Sequence, residues 1–369
     1  MKVFWLFNHP APYKVNFFNV LGKSCELDVL FERDSEAGRN AVFYSQEPLS
    51  FHAKIAKSLK LGGINNYTKE PIVYLKDNSY DVIVLNGWRT LTERKAIAYA
   101  KKHGIPYLFY INGGIAKTKE NPLIKRMKTK YISGANLYFA PDERSADYLV
   151  HYGASEGKIR QYPYSSIFEN ELVESPLSQE IKRELRIEKG LEGERVFLSS
   201  GQFIARKNYP MLIKAWTKAK KSDHLYIIGE GPLKPQYEKL IDQLGLANVH
   251  LMDFQKHDDL LVLFRLGDGF VFPSKEDIYG HVINEALSQG LPVIAWNNVN
   301  AASHLIRNGE NGFVLNDDDP EALMSALDKI DDPRFGTAAL EIARANTIEK
   351  SAAFHLSEFE RAIHEELKR

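Results

Sequence analysis

Carboxylates and a glycine stand together after a predicted strand in the second half of the chain. In FPSKEDIYGHVINEALSQGLPVIAW (residues 272–296), Asp277 lies in a loop and Glu285 lies in the helical pattern that follows. The segment DGFVFPS is typical of a buried strand, HVINEALSQG of a helix that ends on a glycine, and LPVIAW of the next strand. The polar residues therefore follow the carboxyl end of a strand, where open α/β sheets bind ligands.

The same segment combines donors for an anion with acceptors for hydroxyl groups. Gly280 precedes the helix, whose first backbone N–H groups can face a phosphate. These N–H groups belong to His281, Val282 and Ile283. Asp277 and Glu285 flank them, and ionised carboxylates accept hydroxyl hydrogen bonds. A site that binds a phosphate between two groups that accept hydroxyl hydrogen bonds is suited to a nucleotide sugar. For this motif alone, the alternative is that Asp277 lies in a solvated loop and Glu285 is an ordinary helix residue.

A cationic loop follows an earlier predicted strand. In SSGQFIARKNYPMLIKAW, which begins at residue 199, the strand ends at Gly201 and Arg206 and Lys207 precede a helix. Asn208 is expected to cap that helix. Two cations beside a helix start suit a diphosphate, and a solvated Arg-Lys pair is the alternative.

A glycine turn lies one strand further along the chain. IIGEGPLKPQYEKL, from residue 227, places Gly229 and Gly231 between a strand and a helix. The glycines permit a tight turn and close approach of a ligand, although a plain turn is the more common explanation for so short a motif. In order, three strand ends thus offer cations, a glycine turn and a helix start with carboxylates.

Alternating strand and helix patterns must position these loops. The predicted strands are KVFWLF from residue 2, DVIVLN from 81, PYLFYI from 106, ANLYFA from 135, RVFLSSGQF from 195, HLYIIG from 224, NVHLMDF from 248, DGFVFPS from 268 and LPVIAW from 291. Such alternation indicates parallel sheets covered by helices on both faces.

The rhythm is interrupted once, which predicts two domains. KIRQYPYSSIFENEL, from residue 158, ends the first series, so we place the boundary near Phe168. We expect an α/β fold of two Rossmann-like parallel domains, residues 1–168 and 169–346, that face each other across a cleft. The last segment, about 347–369, has helical spacing and is expected to pack back on the first domain.

Composition excludes several classes of protein. The chain has 369 residues, 44% hydrophobic and 26% charged, which is typical of a globular protein. One cysteine, Cys25, excludes an internal disulfide framework and fits a reducing compartment. Because no apolar run approaches the roughly 20 residues that span a bilayer, we expect a cytoplasmic protein. Residues 1–165 contain 24 Lys and Arg against 15 Asp and Glu, a net charge of +9, and the remainder carries −9.

The order of the motifs resembles the nucleotide-binding half of the retaining glycosyltransferases of family 4, which have the GT-B fold. The resemblance runs from about Val196 to Leu327 and includes GQFIARKN, IIGEGPLKPQYEKL, LGLANVHLMDF, DGFVFPSKEDIYGHVINEALSQGLPVIAW and IRNGENGFVL. In the family's Glu-x7-Glu signature, Asp277 is the counterpart of the first glutamate and Glu285 of the second. The resemblance implies that Asp277 binds donor-sugar hydroxyls, Glu285 binds the ribose and Lys207 neutralises the diphosphate.

The resemblance implies two sets of site residues. Asp277, Lys207 and Glu285 would be catalytic. The donor would contact Gly201, Gln202, Arg206, Lys207, Gly229, Phe254, Asp277, Tyr279, Gly280, His281, Val282 and Glu285. The acceptor or the sugar would contact Asn8, Pro12, Tyr13, Asn112 and Gly113. Gln202 stands where the family often has arginine, so one phosphate charge is missing or is supplied by Arg206.

The implied activity is retaining transfer of a hexosyl or N-acetylhexosaminyl group to a glycan in bacterial-type surface polysaccharide synthesis, and we expect a lipid-linked acceptor. A UDP-sugar is the expected donor, no further cofactor is implied, and the reaction is expected to need no metal. The aspartates of NDDDPEAL, from residue 316, could bind a cation, but an acidic helix start is the preferred explanation. A nucleotide-sugar epimerase of the same fold and a catalytically silent sugar-nucleotide-binding subunit remain alternatives.

A basic segment of the first half predicts an anionic membrane partner. AKTKENPLIKRMKTKYISG, from residue 116, has apolar residues at roughly helical spacing among its cations. The cations assigned to the membrane surface are Lys117, Lys125, Arg126, Lys128 and Lys130. A second basic stretch, HAKIAKSLKLGG from residue 52, supports this prediction, and an ordinary solvated helix face is the alternative. We therefore expect a peripheral protein on the inner face of the cell membrane. Nucleic acid is not an expected partner, because no recognised nucleic-acid module is present.

Overall fold

The computed structural model describes residues 1–35, 49–60, 66–117, 119–316, 318–365 and 367. The chain divides into two compact units. The first consists of Met1–Ser166 and Thr347–Arg369, and the second of Ile167–Asn346. Each unit is an α/β layer structure, and the elements are numbered along the whole chain.

A seven-stranded parallel sheet forms the centre of the first unit. Its strands are β1 (Lys2–Phe7), β2 (Glu26–Phe31), β3 (His52–Ile55), β6 (Val82–Asn86), β7 (Leu108–Tyr110), β8 (Leu137–Ala140) and β9 (Ile159–Gln161). They are arranged in the order β3-β2-β1-β6-β7-β8-β9. β4 (Leu59–Lys60) and β5 (Asn66–Tyr67) form a separate antiparallel pair. All residues of β1 and β6 except Lys2 are buried, as expected for central strands of a covered parallel sheet.

Helices from both ends of the chain cover this sheet. They are α1 (Pro12–Leu21), α2 (Pro71–Lys76), α3 (Leu91–Lys102), α4 (Pro122–Ile132), α5 (Glu143–His151) and α14 (Ile348–Glu365). A capping box between Thr90 and Glu93 begins α3. On α14, His355 and Phe359 pack against the ring of Trp5 on β1. The C-terminal helix is therefore part of the core of the first unit.

The second unit contains a six-stranded parallel sheet. Its strands are β10 (Arg195–Ser200), β11 (Asp223–Ile228), β12 (Val249–Met252), β13 (Gly269–Phe272), β14 (Val293–Trp296) and β15 (Gly312–Leu315), in the order β12-β11-β10-β13-β14-β15. Its helices are α6 (Gln179–Glu188), α7 (Tyr209–Ala215), α8 (Lys234–Leu244), α9 (His257–Leu266), α10 (Val282–Ser288), α11 (Asn300–Leu305), α12 (Pro320–Lys329) and α13 (Arg334–Arg344). Phe197, Ile227 and Val271 lie in one buried cluster with helix residues.

The structure confirms the predicted α/β class with two parallel sheets, but the sequence patterns missed four strands of these sheets: β2, β3, β9 and β15. β9 lies inside the stretch that interrupts the predicted alternation. β2 contains Asp28, a residue type depleted in strands. The structure accommodates it because the Tyr80 hydroxyl donates a hydrogen bond to its carboxylate at 2.6 Å.

Candidate functional site

Three adjacent strands of the second unit bring the predicted donor residues to one edge of the sheet. Gly201 follows β10, Gly229 follows β11 and Asp277 lies in the loop after β13. β10 pairs with β11 on one side and with β13 on the other, all in parallel. Their carboxyl ends therefore lie at the same edge, where this type of sheet binds ligands.

The centre of this edge is an ion-pair cluster of Asp277, Lys207 and Arg206. One carboxylate oxygen of Asp277 lies 2.6 Å from Lys207 Nζ and 3.0 Å from an Arg206 guanidinium nitrogen. The Lys207 side chain is 9% exposed and that of Asp277 17%, whereas that of Arg206 is 44% exposed. Burial alone would raise the pKa of Asp277, but Lys207 and Arg206 hold it below its usual value. Asp277 is therefore ionised at neutral pH.

The cluster contains two cations and one anion. Lys207 Nζ also stands 4.4 Å from the ring centre of Phe272, which stabilises a cation further. The neighbouring Glu276 is exposed, and its backbone carbonyl accepts a bond from Arg206 at 3.2 Å. The excess positive charge makes this edge suitable for an anionic ligand such as a diphosphate.

Backbone hydrogen bonds join the cationic loop to the carboxylate loop. The Lys275 N–H donates to the Arg206 carbonyl at 2.9 Å, and the Ser274 hydroxyl donates to the same oxygen at 3.2 Å. Lys207 and Asp277 lie 70 residues apart in sequence, yet their loops form one unit of structure. The positions of Lys207 and Asp277 are therefore fixed relative to each other.

Asn208 does not cap α7 in the way the sequence predicted. It occupies the position before the helix, but its side chain makes no capping bond and its backbone is left-handed, with φ +59°. Its side-chain amide instead donates to both carboxylate oxygens of Asp318, at 3.1 and 3.2 Å. The side chain that was expected to serve the helix thus contacts a loop 110 residues away.

The predicted amide site before α10 is smaller than expected. The Ile283 N–H donates to the Gly280 carbonyl at 3.0 Å, so it is already used within the turn. Gly280 has φ +99°, a conformation that an L side chain rarely adopts. His281 and Val282 stand at the helix start and are half-buried, and Glu285 is half-buried in the first turn of α10. At most two of the three predicted backbone N–H groups can therefore face a ligand.

The other predicted donor residues differ in accessibility. Gly229 serves the protein's own packing, because a Cβ there would lie 2.1 Å from the Gly201 carbonyl oxygen. Tyr279 is buried, with its ring centre 5.1 Å from that of His281. Gln202 is half-buried and Phe254 is 41% exposed. Gln202 and Phe254 are thus the more accessible members of this group.

The predicted acceptor residues lie near strand ends of the first unit. Asn8 follows β1, and Pro12 and Tyr13 begin α1. Asn112 and Gly113 follow β7. All five are half-buried. The side-chain oxygen of Asn112 is buried and has no hydrogen-bond partner among the described residues.

A buried lysine beside these residues had no recognisable sequence signal. Lys14 of α1 bonds the Tyr110 hydroxyl, and its Nζ stands 4.5 Å from the ring centres of Tyr110 and Tyr164. Burial holds the pKa of Lys14 well below its ordinary value. Only the tertiary packing reveals this lysine, because lysines are usually exposed.

The basic segment forms α4, but one of its predicted membrane contacts is wrong. Lys128 pairs with Glu120 and donates to the Tyr152 hydroxyl at 2.8 Å, so its charge is already neutralised within the protein. Lys117, Lys125, Arg126 and Lys130 are exposed. Leu123 and Ile124 are 75% and 44% exposed and lie beside these cations. Exposed cations and apolar side chains therefore remain around α4 and just before it, a surface that we call the α4 face (Lys117, Leu123, Ile124, Lys125, Arg126 and Lys130).

The described residues of the second basic stretch lie on β3 and β4 and between them, not on α4. Residues 52–55 form the edge strand β3, in which Lys54 pairs with Glu70 at 2.7 Å. Residues 61–65, which include the end of that stretch, lie outside the described part of the chain. Among the described residues, no helix is both long enough and apolar enough to cross a membrane.

Two of the acidic residues after β15, Asp318 and Asp319, have structural roles. Asp319 caps α12 by accepting a bond from the Glu321 N–H at 2.9 Å, and Asp318 binds Asn208; Asp317 lies outside the described residues.

Elsewhere, Glu171, His257 and Asp258 place their ligand atoms within 4.8 Å of one another, a spacing that could hold a metal ion. His257 and Glu171 already bond each other at 2.9 Å.

The edge of the second unit that carries Gly201, Gly229 and Asp277 is the one that we call the ligand edge. The two parallel-sheet α/β units have the GT-B fold. A structure of Anabaena Alr3699/HepE in complex with UDP superposes on 97% of this chain and 100% of that chain, with a TM-score of 0.75 at 17% identity. Residues 181–346 match the family model of glycosyl transferases group 1. That part of the chain, a little under half of it, is therefore similar to this family.

Curated relatives agree with this assignment. The chain is 31% identical over 157 residues to alpha-D-kanosaminyltransferase of Streptomyces kanamyceticus, which covers 41% of this chain and 40% of the relative. It is 30% identical over 136 residues to the lipopolysaccharide core biosynthesis glycosyltransferase LpsE of Rhizobium meliloti, covering 37% and 39%. The matched stretches thus span about two fifths of the length of these relatives.

Proposed function

We propose that the protein is a retaining glycosyltransferase that moves a sugar from a nucleotide sugar to a glycan acceptor. The observation that supports this most strongly is the cluster of Asp277, Lys207 and Arg206, which combines excess positive charge with a carboxylate at one sheet edge. Alr3699/HepE, which shares the fold, is described in complex with UDP, so a UDP-sugar is the donor that we propose. LpsE acts in lipopolysaccharide core synthesis, which favours a lipid-linked glycan as the acceptor class.

In this proposal, Lys207 and Arg206 bind the diphosphate and stabilise it as it departs. Positive groups that are already in place for the developing charge lower the barrier without reorganisation during the reaction. The bond between the anomeric carbon and the diphosphate oxygen breaks, and the acceptor hydroxyl oxygen bonds to that carbon from the same face. The hydroxyl proton passes to the departing phosphate. Lys207 and Arg206 thus act as electrostatic stabilisers.

The carboxylates then bind hydroxyl groups. When the diphosphate takes Lys207 and Arg206, Asp277 is released to accept bonds from donor-sugar hydroxyls. Glu285, half-buried in the first turn of α10, binds the ribose hydroxyls. In the first unit, the Asn112 side-chain oxygen accepts a bond from the glycan acceptor. This division of roles assigns each carboxylate to hydroxyl groups and each cation to phosphate.

Calorimetric titration with UDP, GDP, ADP and dTDP sugars tests the proposal. We expect one base class to bind, and Lys207→Ala and Glu285→Ala to weaken that binding at least about tenfold. Lys214→Ala removes an exposed lysine of α7 and is the matched control. Binding of none of these nucleotides by the folded protein would refute the proposal. Release of free nucleotide only in the presence of an acceptor would distinguish transfer from epimerisation and from binding without turnover.

We propose further that the reaction proceeds without a divalent metal. Lys207 and Arg206 supply the positive charge that a metal ion provides in other transferases. Asp318 accepts hydrogen bonds from Asn208, and Asp319 caps α12. Full activity after treatment with EDTA is the expected result. Activity that is lost on chelation and restored by magnesium or manganese would contradict this part of the proposal.

The α4 face is proposed to bind an anionic membrane surface, which would place the protein on the cytoplasmic side of the cell membrane. Each lysine or arginine near such a surface contributes about 1 kcal/mol. Reversal of Lys125 and Arg126 to glutamate should therefore weaken binding to phosphatidylglycerol vesicles at least thirtyfold or so, since about 2 kcal/mol corresponds to that factor. Lys102→Glu, an exposed lysine of α3, is the control. Equal vesicle affinity of the reversed protein and the wild type would exclude the α4 face.

A further inference from the structure

Asn208 directly follows Lys207 and has an unusual backbone. Among the described residues, it is the one non-glycine residue with a positive φ, at +59°. For an L-residue the left-handed conformation is unfavourable, and asparagine adopts it when its side chain finds polar partners. Asn208 is buried, so a partner for its amide matters more than it would at the surface.

The partner of that amide is Asp318. Asn208 Nδ2 lies 3.1 and 3.2 Å from the two carboxylate oxygens of Asp318. A hydrogen bond to an ionised carboxylate is stronger than one between neutral groups. The bond holds the side chain of Asn208 away from α7, where an ordinary N-cap would place it.

Asp318 also faces the loop that carries Asp277. Its carboxylate lies 3.9 Å from Lys275 Nζ, and the Lys275 N–H donates to the Arg206 carbonyl at 2.9 Å. The loops at 206–208 and 274–277 and the residues before α12 therefore meet at one point. In the described part of the chain, Asp318 hydrogen-bonds Asn208 and forms only a long ion pair of 3.9 Å with the exposed Lys275, so Asn208 is its stronger polar partner.

We infer that Asp318 is a positioning residue for the donor site: it fixes Asn208 in the left-handed conformation and thereby directs Lys207 and Arg206 toward the diphosphate. The effect on diphosphate binding rests on the proposed function, whereas the restraint of the Asn208 backbone by Asp318 does not. Without Asp318, Asn208 relaxes toward a right-handed backbone. The Lys207 side chain, one residue earlier, then loses its alignment with Asp277.

A double-mutant cycle with glycine tests this inference, because glycine adopts a positive φ without help from a side chain. Asp318→Ala should weaken UDP binding, measured by calorimetry, about five- to thirtyfold. Asn208→Gly should bind UDP within about threefold of the wild type. The combined variant Asn208→Gly/Asp318→Ala should resemble Asn208→Gly, because glycine keeps a positive φ without the carboxylate of Asp318.

Asp319→Ala separates a positioning role from a general loss of stability. Asp319 is the neighbouring carboxylate and caps α12, so its removal should lower the melting temperature without changing UDP affinity. If Asp318→Ala also changes only the melting temperature, Asp318 is merely structural and the inference is wrong. An equal loss of affinity when Asp318→Ala is introduced into the wild type and into the Asn208→Gly variant would also overturn it.

The cycle is repeated on melting temperatures without nucleotide, which keeps the two hypotheses apart. If the wild type binds no nucleoside diphosphate, the proposed function fails. The melting temperatures still decide whether Asp318 restrains Asn208: Asp318→Ala should lower the value in the wild type and leave it unchanged in Asn208→Gly. Equal lowering in both backgrounds would refute the restraint itself.

Discussion

Replacement of Asp277 by asparagine should tighten binding of the nucleoside diphosphate and destabilise the protein without ligand. Asp277 is the anion that pairs with Lys207 and Arg206, at 2.6 and 3.0 Å. A diphosphate must compete with this carboxylate for the same cations. The asparagine side chain keeps the shape and a hydrogen-bond acceptor but removes the charge, so the competition is weakened.

The magnitude follows from the geometry. A carboxylate and a phosphate about 5 Å apart repel each other by about 3 kcal/mol at an effective dielectric constant of about 20. Arg206 is partly exposed, so we reduce this by half, which corresponds to about tenfold tighter binding of UDP. Without ligand, the buried Lys207 loses its carboxylate, and we expect a loss of about 2 kcal/mol in stability, below the roughly 3–5 kcal/mol of a fully buried pair.

Calorimetry and thermal unfolding measure both effects. At equal UDP concentration, the rise in melting temperature should be larger for Asp277→Asn than for the wild type, because tighter ligand binding stabilises the folded state more. Glu276→Gln is the matched control, since it removes the neighbouring exposed carboxylate. Weaker UDP binding in Asp277→Asn, or an unchanged melting temperature without ligand, would refute the idea that Asp277 holds the cations before the donor arrives.

Three buried or half-buried ionisable groups give further predictions, each checked by melting temperature against pH. Burial alone would lower the pKa of His257, but Glu171 raises it to about 9, so the wild type should lose stability as pH rises from about 6.5 through 9 and His257→Gln should lack this loss. Burial, and then the charge of Glu93, raise the pKa of Glu32 to about 9; stability should fall as pH rises from about 4.5 to 9, and Glu32→Gln should melt higher than the wild type at pH 9. For Lys14 the change of stability with pH has the opposite sign, because burial lowers its pKa in the folded protein. Lys14→Met should therefore melt higher than the wild type at about pH 7. This difference should shrink toward about pH 10, where the lysine also loses its proton in the unfolded chain. A pH-independent difference in any of these comparisons would contradict the assigned linkage.

Sequence patterns were sufficient for the strands that carry the ligand edge. β13 and β14 are continuous apolar runs, and β10 and β11 each contain a shorter one, VFL and LYII, because both faces of a covered parallel sheet are buried. Patterns failed where an acidic residue interrupted a run, as Asp28 does in β2, or where a strand lies at the edge of the sheet, as β3 does. In those strands, partners elsewhere in the fold stabilise residues that local propensity disfavours.

Helical spacing predicted α4 but not the direction of its cations. Lys128 lies among exposed cations in sequence, yet it turns toward Glu120 and Tyr152. Periodicity identifies the residues that share a helix face, but it does not identify what packs against that face. The membrane prediction for Lys128 was therefore wrong, and that for the exposed Lys125 and Arg126 stays a prediction.

The sequence by itself determined which side chains reach the ligand edge, since parallel strands end at one edge and their loops follow in chain order. Tertiary structure alone decided which of these side chains meet. Asp277 pairs with Lys207, 70 residues away, and the side chain of Asn208 binds Asp318, 110 residues away, instead of capping α7. Charge pairing acts over a few ångströms, so it depends on which strands are neighbours in the sheet, and strand order is not written in the spacing of residues along the chain.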